Sequence, residues 1–173
     1  MKTAERKLLI SLHAEAQESY SKGVRDVSRI VSDENMETLL ASGVSPVFLY
    51  DCVDDLSRYG EPEMEVFVEL AALRILYFRD VLSSKPATEI VPEAALPRKT
   101  DAHQGVAWLL RMIRKAQCFL AGSLSQDIMY GCAGDRGFLR EYGASLRDFL
   151  VVVRDTAGDP DKVLKFLQSS RST

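Results

Sequence analysis

The chain has 173 residues, a length that suits one domain or two small helical lobes. Hydrophobic residues make up 46%, charged residues 27%, and the net charge is −3, a balance typical of soluble globular proteins rather than disordered ones. No apolar run reaches the length of a signal-peptide core or a membrane span, and three widely spaced cysteines argue against disulfides or a zinc site, so we expect a cytoplasmic protein without membrane contact.

Regularly spaced apolar residues predict helices at the start of the chain. Spacings of three and four between Glu5 and Val31 indicate one long helix, which Gly23 is expected to bend or split. A short helix then follows, opened by Ser32-Asp33-Glu34 and ended near Gly43. The alternating pattern of a β-strand does not compete here over any length.

Two further helices are predicted before the middle of the chain. Ser45 is a good N-cap for a helix with Pro46 in its first turn, and Gly60 is a natural end for that helix. The next helix is expected from near Pro62 to about Leu82. Its residues 66–78 are apolar on nearly every side, which marks it as a central helix.

The segment from Ser83 to Lys99 contains three prolines and little periodicity, so it is the best linker candidate. We therefore divide the chain into an acidic helical region over residues 1–82, a linker over 83–99 and a basic helical region over 100–173, and expect the two regions to pack as one globular unit. Charge supports the division, since residues 1–95 hold 10 basic against 17 acidic side chains (−7) and residues 96–173 hold 12 against 8 (+4).

A second central helix is predicted from His103 to Ala121, ended by Gly122, with Trp108 among its buried residues. Its polar strip consists of Arg111, Arg114 and Lys115. Two interpretations of the strip remain: an anion site, or a solvated edge with one structural salt bridge, for example between Glu69 and Arg111. We favour the solvated edge.

Helix-start signals predict three more helices near the C-terminus. Asp135 is read as the N-cap of a short helix that closes at Gly143. Ser145 with Asp148 resembles a capping box, and Asp159-Pro160 starts the last helix. The expected fold is therefore all-α, a compact bundle of roughly seven helices around two central apolar ones.

Known catalytic and metal-binding patterns are mostly absent from the sequence. With only His13 and His103, a three-histidine site is excluded, and neither a phosphate-binding glycine loop nor a GxSxG motif occurs. Asp51, Asp54 and Asp55 lie one turn apart and suit either a divalent cation or a solvated acidic face; we favour the acidic face. We expect no cofactor, no metal and, because basic residues are dispersed, no nucleic-acid partner. His13 is expected at the surface or the edge of the core.

Several short motifs in the second half occur in a fixed order. They are Leu96-Pro97-Arg98, Trp108-Leu109-Leu110-Arg111-Met112-Ile113, Leu120-Ala121-Gly122, and Tyr130 with Cys132, Asp135-Arg136 and Phe138-Leu139. Over about residues 95–170 the chain resembles an uncharacterised bacterial family, catalogued only as a domain of unknown function, whose pattern reads W-L-P-R-M-I-D-K-A-R, L-A-G and Y-x-C-P-L-D-R-R-F-L. The departures from it are Leu110 for proline, Arg114 for aspartate, Gln117 for arginine and Ala133-Gly134 for Pro-Leu. The resemblance implies a small, mostly helical bacterial domain and no reaction.

Cys132 is the residue for which the sequence supports a chemical hypothesis. A thiol close to a helix start, with Arg136 nearby, is placed to act as a reactive thiolate, and Tyr130 and Asp135 are candidates for positioning a substrate. His103 is the only candidate base in this half of the chain. The alternative is a buried structural cysteine, with Asp135 as a cap and Arg136 in a salt bridge.

Two hypotheses about function follow from the sequence. The preferred one is a non-enzymatic helical protein that binds a protein partner or self-associates, through the helix of Trp108 or the acidic region between Asp51 and Glu69. The alternative is a small-molecule-binding or thiol-dependent enzyme that uses Cys132, Asp135 and Arg136, with Arg111 and Tyr130 as candidate binding residues.

Overall fold

A computed structural model describes residues 3–171 and is 63% helical, which confirms the predicted all-α class. The described residues form eight α-helices and one two-stranded sheet. In chain order the elements are α1 (Thr3–Ser21), α2 (Asp33–Ala41), α3 (Pro46–Tyr59), α4 (Met64–Asp80), β1 (Ala102–His103), β2 (Val106–Ala107), α5 (Leu109–Ala121), α6 (Ala133–Arg140), α7 (Leu146–Asp155) and α8 (Pro160–Ser170). Short 3₁₀ helices lie at Val27–Arg29 and Glu93–Ala95.

The contacts divide the chain into two units, one ending at Pro86 and the other starting at Ala87. In the first unit, α1 packs against both α3 and α4, and α2 packs against α3. Apolar side chains from these helices are fully buried, including Leu12, Leu49 and Phe67. Since each helix alone exposes an apolar face, their mutual burial is the main stabilising term of the unit.

In the second unit, α5 packs against α7 and α8, which also contact each other, and strand β1 packs on α5. Nine of the thirteen residues of α5 are buried, as expected of a central helix. The boundary at Pro86 divides the proline-containing segment 83–99, whose later part belongs to this unit. Val91 forms a bridge with Leu124, and Leu96 is buried.

The first predicted helix is shorter than its apolar spacing suggests. It ends at Ser21 and not at Val31, because Gly23 adopts a left-handed conformation (φ +92°) that breaks the helix. The chain continues through the 3₁₀ turn of Val27–Arg29, and Ile30 and Val31 are buried there without being helical. The apolar spacing therefore detected burial correctly but not the local backbone.

The start of the second central helix was also predicted wrongly. Residues 102–107 form a hairpin, in which Ala102 pairs with Ala107 and His103 with Val106. Gln104 and Gly105 both have positive φ, the geometry of a tight two-residue turn. The helix begins only at Leu109, and its predicted end at Gly122 (φ +69°) is confirmed.

Most other predicted helix boundaries are confirmed. Gly60 ends α3 with φ +76°, and Pro46 begins that helix. Ser145 Oγ accepts the N–H of Asp148 at 3.0 Å, and Asp159 accepts two N–H groups at the start of α8. These signals succeed because capping is local chemistry within four residues.

Candidate functional site

Cys132, the central residue of the candidate site, lies at the start of α6. It is the N-cap residue of that helix, with extended backbone angles, and its side chain makes no capping bond. The residue is partly exposed, whereas Cys52 and Cys118 are buried. The thiol of Cys132 therefore lies at the positive end of a helix dipole and retains contact with solvent.

Asp135 was expected to be the N-cap but is instead the third residue of α6. Its side chain is fully buried, and Oδ2 accepts the backbone N–H of Gly131 at 2.9 Å. The same oxygen forms an ion pair with Lys115. Asp135 thus lies in the first turn of α6 and binds the backbone of the loop that precedes the helix. Its second oxygen, Oδ1, has no hydrogen-bond partner among residues 3–171.

Lys115 brings a positive charge from α5 to the thiol. The ammonium group donates a hydrogen bond to Cys132, with Nζ 3.6 Å from Sγ, while it is paired with Asp135. Only 3% of Lys115 is exposed, so water screens these interactions weakly. The expected solvated strip is therefore incorrect, because Lys115 and Arg111 are buried and only Arg114 is exposed.

Arg136 and Tyr130 hydrogen-bond to backbone carbonyls around the start of α6. Arg136 Nη1 donates to the carbonyl of Gly131 at 2.7 Å. The Tyr130 hydroxyl donates to the carbonyl of Leu146 at 3.0 Å, and its ring stacks on Phe119 with centroids 5.2 Å apart. Burial, with a smaller effect from Asp135, raises the pKa of Tyr130 well above its usual value, so this phenol stays neutral.

Arg111 is held by the segment that precedes the hairpin. Its guanidinium pairs with Glu93 at 2.6 Å and donates to the carbonyl of Pro97 at 3.0 Å. The salt bridge with Glu69 that the sequence suggested stays a prediction. Since Arg111 has these two partners, its role in the second unit is to anchor residues 93–97 to α5.

The side chain of Trp108 lies near Cys132. The sequence did not predict this, because it placed Trp108 inside a helix. Its backbone is left-handed (φ +69°), which is unusual for a bulky residue. This geometry places the indole against Gly134, where a Cβ would lie 2.9 Å from Cζ2 and Cη2 and 4.0 Å from the Cys132 sulfur. Lys99 Nζ lies 5.3 Å from the centre of the same ring. The indole, with Lys99 over its ring, therefore lies next to the first turn of α6, which Cys132 precedes.

Both histidines have contacts that do not involve the thiol. His103 Nε2 lies 2.6 Å from Asp161 Oδ1, so its ring is engaged with α8. His13 belongs to the first unit and is fully buried, not at the surface, with its ring 5.5 Å from that of Phe67. A reactive Cys132 would therefore depend on electrostatic stabilisation of its negative charge and not on a Cys–His pair.

The three aspartates of α3 lie in different environments. Asp54 accepts the Tyr20 hydroxyl at 2.6 Å and pairs with Arg58 at 3.0 Å. Burial raises the pKa of Asp51 to about 7, with smaller contributions from Asp55 and Asp54. Within residues 3–171, no group of three or more His, Cys, Asp or Glu side chains is arranged to hold a metal ion.

No family model, curated protein or solved structure matches the chain. The resemblance of residues 95–170 to a bacterial family of unknown function therefore stays a prediction. Within the described part of the chain, no helix is both long and apolar enough to span a membrane.

Proposed function

We propose that the protein acts through Cys132 as a nucleophilic thiol that binds small electrophiles covalently. The observation that carries this proposal is the contact at 3.6 Å between Sγ of the partly exposed Cys132 and Nζ of the buried Lys115. The sequence alone favoured a non-enzymatic binding protein, mainly because the expected catalytic parts, including an obvious base for Cys132, were missing. Lys115, on a different helix, supplies a positive charge at the thiol that the sequence did not reveal.

Two features favour negative charge on this sulfur. The ammonium group of Lys115 attracts it directly, and the free N–H groups of the first turn of α6 point toward the N-cap. Asp135 opposes them, because its carboxylate shares the ammonium group. In the proposed reaction the thiolate attacks an electrophilic carbon, the S–C bond forms, and the electron pair leaves with the departing group or is protonated by solvent.

The test measures the rate at which iodoacetamide labels the folded protein at pH 7, by intact-mass spectrometry, against a model thiol. We expect Cys132 to react faster than the model thiol and the buried Cys52 and Cys118 to stay unlabelled. Lys115→Met should slow labelling roughly tenfold, equivalent to about 1.4 kcal/mol. Asp135→Asn should accelerate it, since Asn still accepts the Gly131 N–H but leaves the ammonium charge uncompensated.

The labelling rate should fall in Lys115→Met and rise in Asp135→Asn. A loosened loop would raise the rate in both variants, so changes in opposite directions indicate an electrostatic effect. Lys162→Met, at an exposed site on α8, is the matched control and should leave the rate unchanged. Circular dichroism confirms that each variant is folded. Labelling of the wild type no faster than the model thiol, or equal rates in all variants, would overturn the proposal.

The preferred hypothesis from the sequence, association with a protein partner or a second copy, remains the second candidate. It is supported by large apolar side chains on the surface of the first unit, with Tyr59 66% and Leu40 56% exposed. The helix of Trp108 is a poor docking surface because most of α5 is buried. Native mass spectrometry, which reports oligomeric state and retained partners together, tests this candidate.

A further inference from the structure

Arg74 is a charged residue on the inner face of α4 in the first unit. Phe67, Ala71, Arg74 and Phe78 follow one another at spacings of four, three and four, which places them on one side of the helix. All four are buried, and Arg74 is only 4% exposed. A helix face that is otherwise apolar therefore carries one guanidinium.

No carboxylate of residues 3–171 pairs with this guanidinium. Nη1 is enclosed and has no hydrogen-bond partner. The guanidinium lies over the ring of Phe78, whose centre is 5.0 Å from Cζ. The ring is also in close contact with the turn at Gly43, where a Cβ would lie 2.5 Å from it.

A buried cation without a counter-ion is costly, and a cation–π contact offsets only part of the lost hydration. Desolvation lowers the pKa of Arg74 to about 10, which still leaves the group charged at neutral pH. An apolar side chain of similar length would fill the same volume without this cost. An anion that accepts a hydrogen bond from Nη1 would offset this cost.

We propose that Arg74 is the anchor of a binding site for a small monocarboxylate. A guanidinium presents parallel N–H donors that match a planar carboxylate in a bidentate pair. Arg74 carries one positive charge and has Tyr77 as its titratable neighbour, so the site suits one negative charge better than the two of a phosphate. The enclosure of Arg74 restricts the ligand to a small one.

The experiment uses the full chain and sodium formate as the probe, with sodium chloride at equal ionic strength as the reference. Formate should raise the Tm of the wild type along a saturable curve, by about 5 °C once its concentration is a hundredfold above the dissociation constant. Arg74→Met should abolish the difference between formate and chloride. Arg79→Met is the matched control on the same helix, because Arg79 is exposed and already paired with Asp80 and Glu5, and it should keep the full difference.

A second measurement on the wild type guards against a variant that fails to fold. The Arg74 side-chain Nε–H resonance should shift saturably with formate, while the resonance of the exposed Arg79 should not. Equal Tm values in formate and chloride, an unmoved Arg74 resonance, or a formate effect that survives Arg74→Met would each overturn the proposal. The site lies in a different unit from Cys132, so its failure would leave the thiol proposal intact.

Discussion

The two histidines of the chain occupy opposite environments. His103 is engaged with Asp161 across a 2.6 Å contact near the surface. His13 is fully buried beside Phe67, and neither of its ring nitrogens has a hydrogen-bond partner within residues 3–171. The sequence placed His13 at the edge of the core because its spacing from Leu9, Leu12 and Ala16 does not reveal how far α3 and α4 enclose that face.

Replacement of His13 by Leu should stabilise the protein and change its pH dependence. Burial lowers the pKa of His13 below 6.5, so the unfolded state binds a proton more readily than the folded state. His13 therefore does not reduce the free energy of unfolding above pH 6.5. As the pH decreases below 6.5, the free energy of unfolding falls, because the unfolded state takes up the proton more readily. Chemical denaturation at pH 7.5 and pH 5 should show a gain of about 1–2 kcal/mol at pH 7.5, and a larger gain at pH 5.

His103→Gln is the matched control for this experiment, since the chain has no third histidine. The His103→Gln variant retains His13, so it should lose as much stability as the wild type between pH 7.5 and pH 5. If His13→Leu loses as much stability as the wild type over that interval, His13 does not titrate in the manner expected from its burial.

At the scale of elements, the start of α6 depends on a close contact with Trp108. Gly134 lies in the first turn of that helix, and the indole occupies the space that its side chain would need. Gly134 is one of the departures from the pattern of the family that the chain resembles. The contact with Trp108 was not predicted, because the sequence placed Trp108 inside a continuous helix and not in a left-handed conformation. Local spacing could not reveal the hairpin, because its two strands contain only two residues each.

Gly134→Ala should therefore destabilise the protein, by about 1–2 kcal/mol, although alanine favours helices over glycine. The added methyl group would lie 2.9 Å from the indole, so the ring must move. Trp108 is the chain's single tryptophan, and its fluorescence emission should shift in this variant.

Gly137→Ala provides the comparison within the same helix. A Cβ at Gly137 meets nothing within 4 Å, so this variant should be stabilised by about 0.5–1 kcal/mol with unchanged emission. Equal effects at the two glycines would mean that the Trp108 contact does not constrain α6.

At the scale of the whole molecule, association would be governed by the exposed apolar side chains of the first unit. If the protein self-associates as the second candidate function requires, native mass spectrometry should show a dimer or larger species. Leu40→Asp with Tyr59→Asp should shift the distribution toward monomer, because each places a charge on an apolar surface. Ser57→Asp, also exposed on α3, should have little effect. A wild type that stays monomeric without a retained partner would contradict this candidate.

The sequence by itself determined the helical class, most helix ends and the position of the reactive candidate. Gly60, Gly122, Ser145 and Asp159 act through bonds to neighbours within a few residues, so their effect is visible in the sequence. Only the tertiary structure decided the partners of the charged groups. Lys115 is seventeen residues from Cys132, and α4, which carries the buried Arg74, packs against α1 at the start of the chain. Burial and ion pairing depend on which helix faces meet, and helical spacing shows that a face is apolar without showing what covers it.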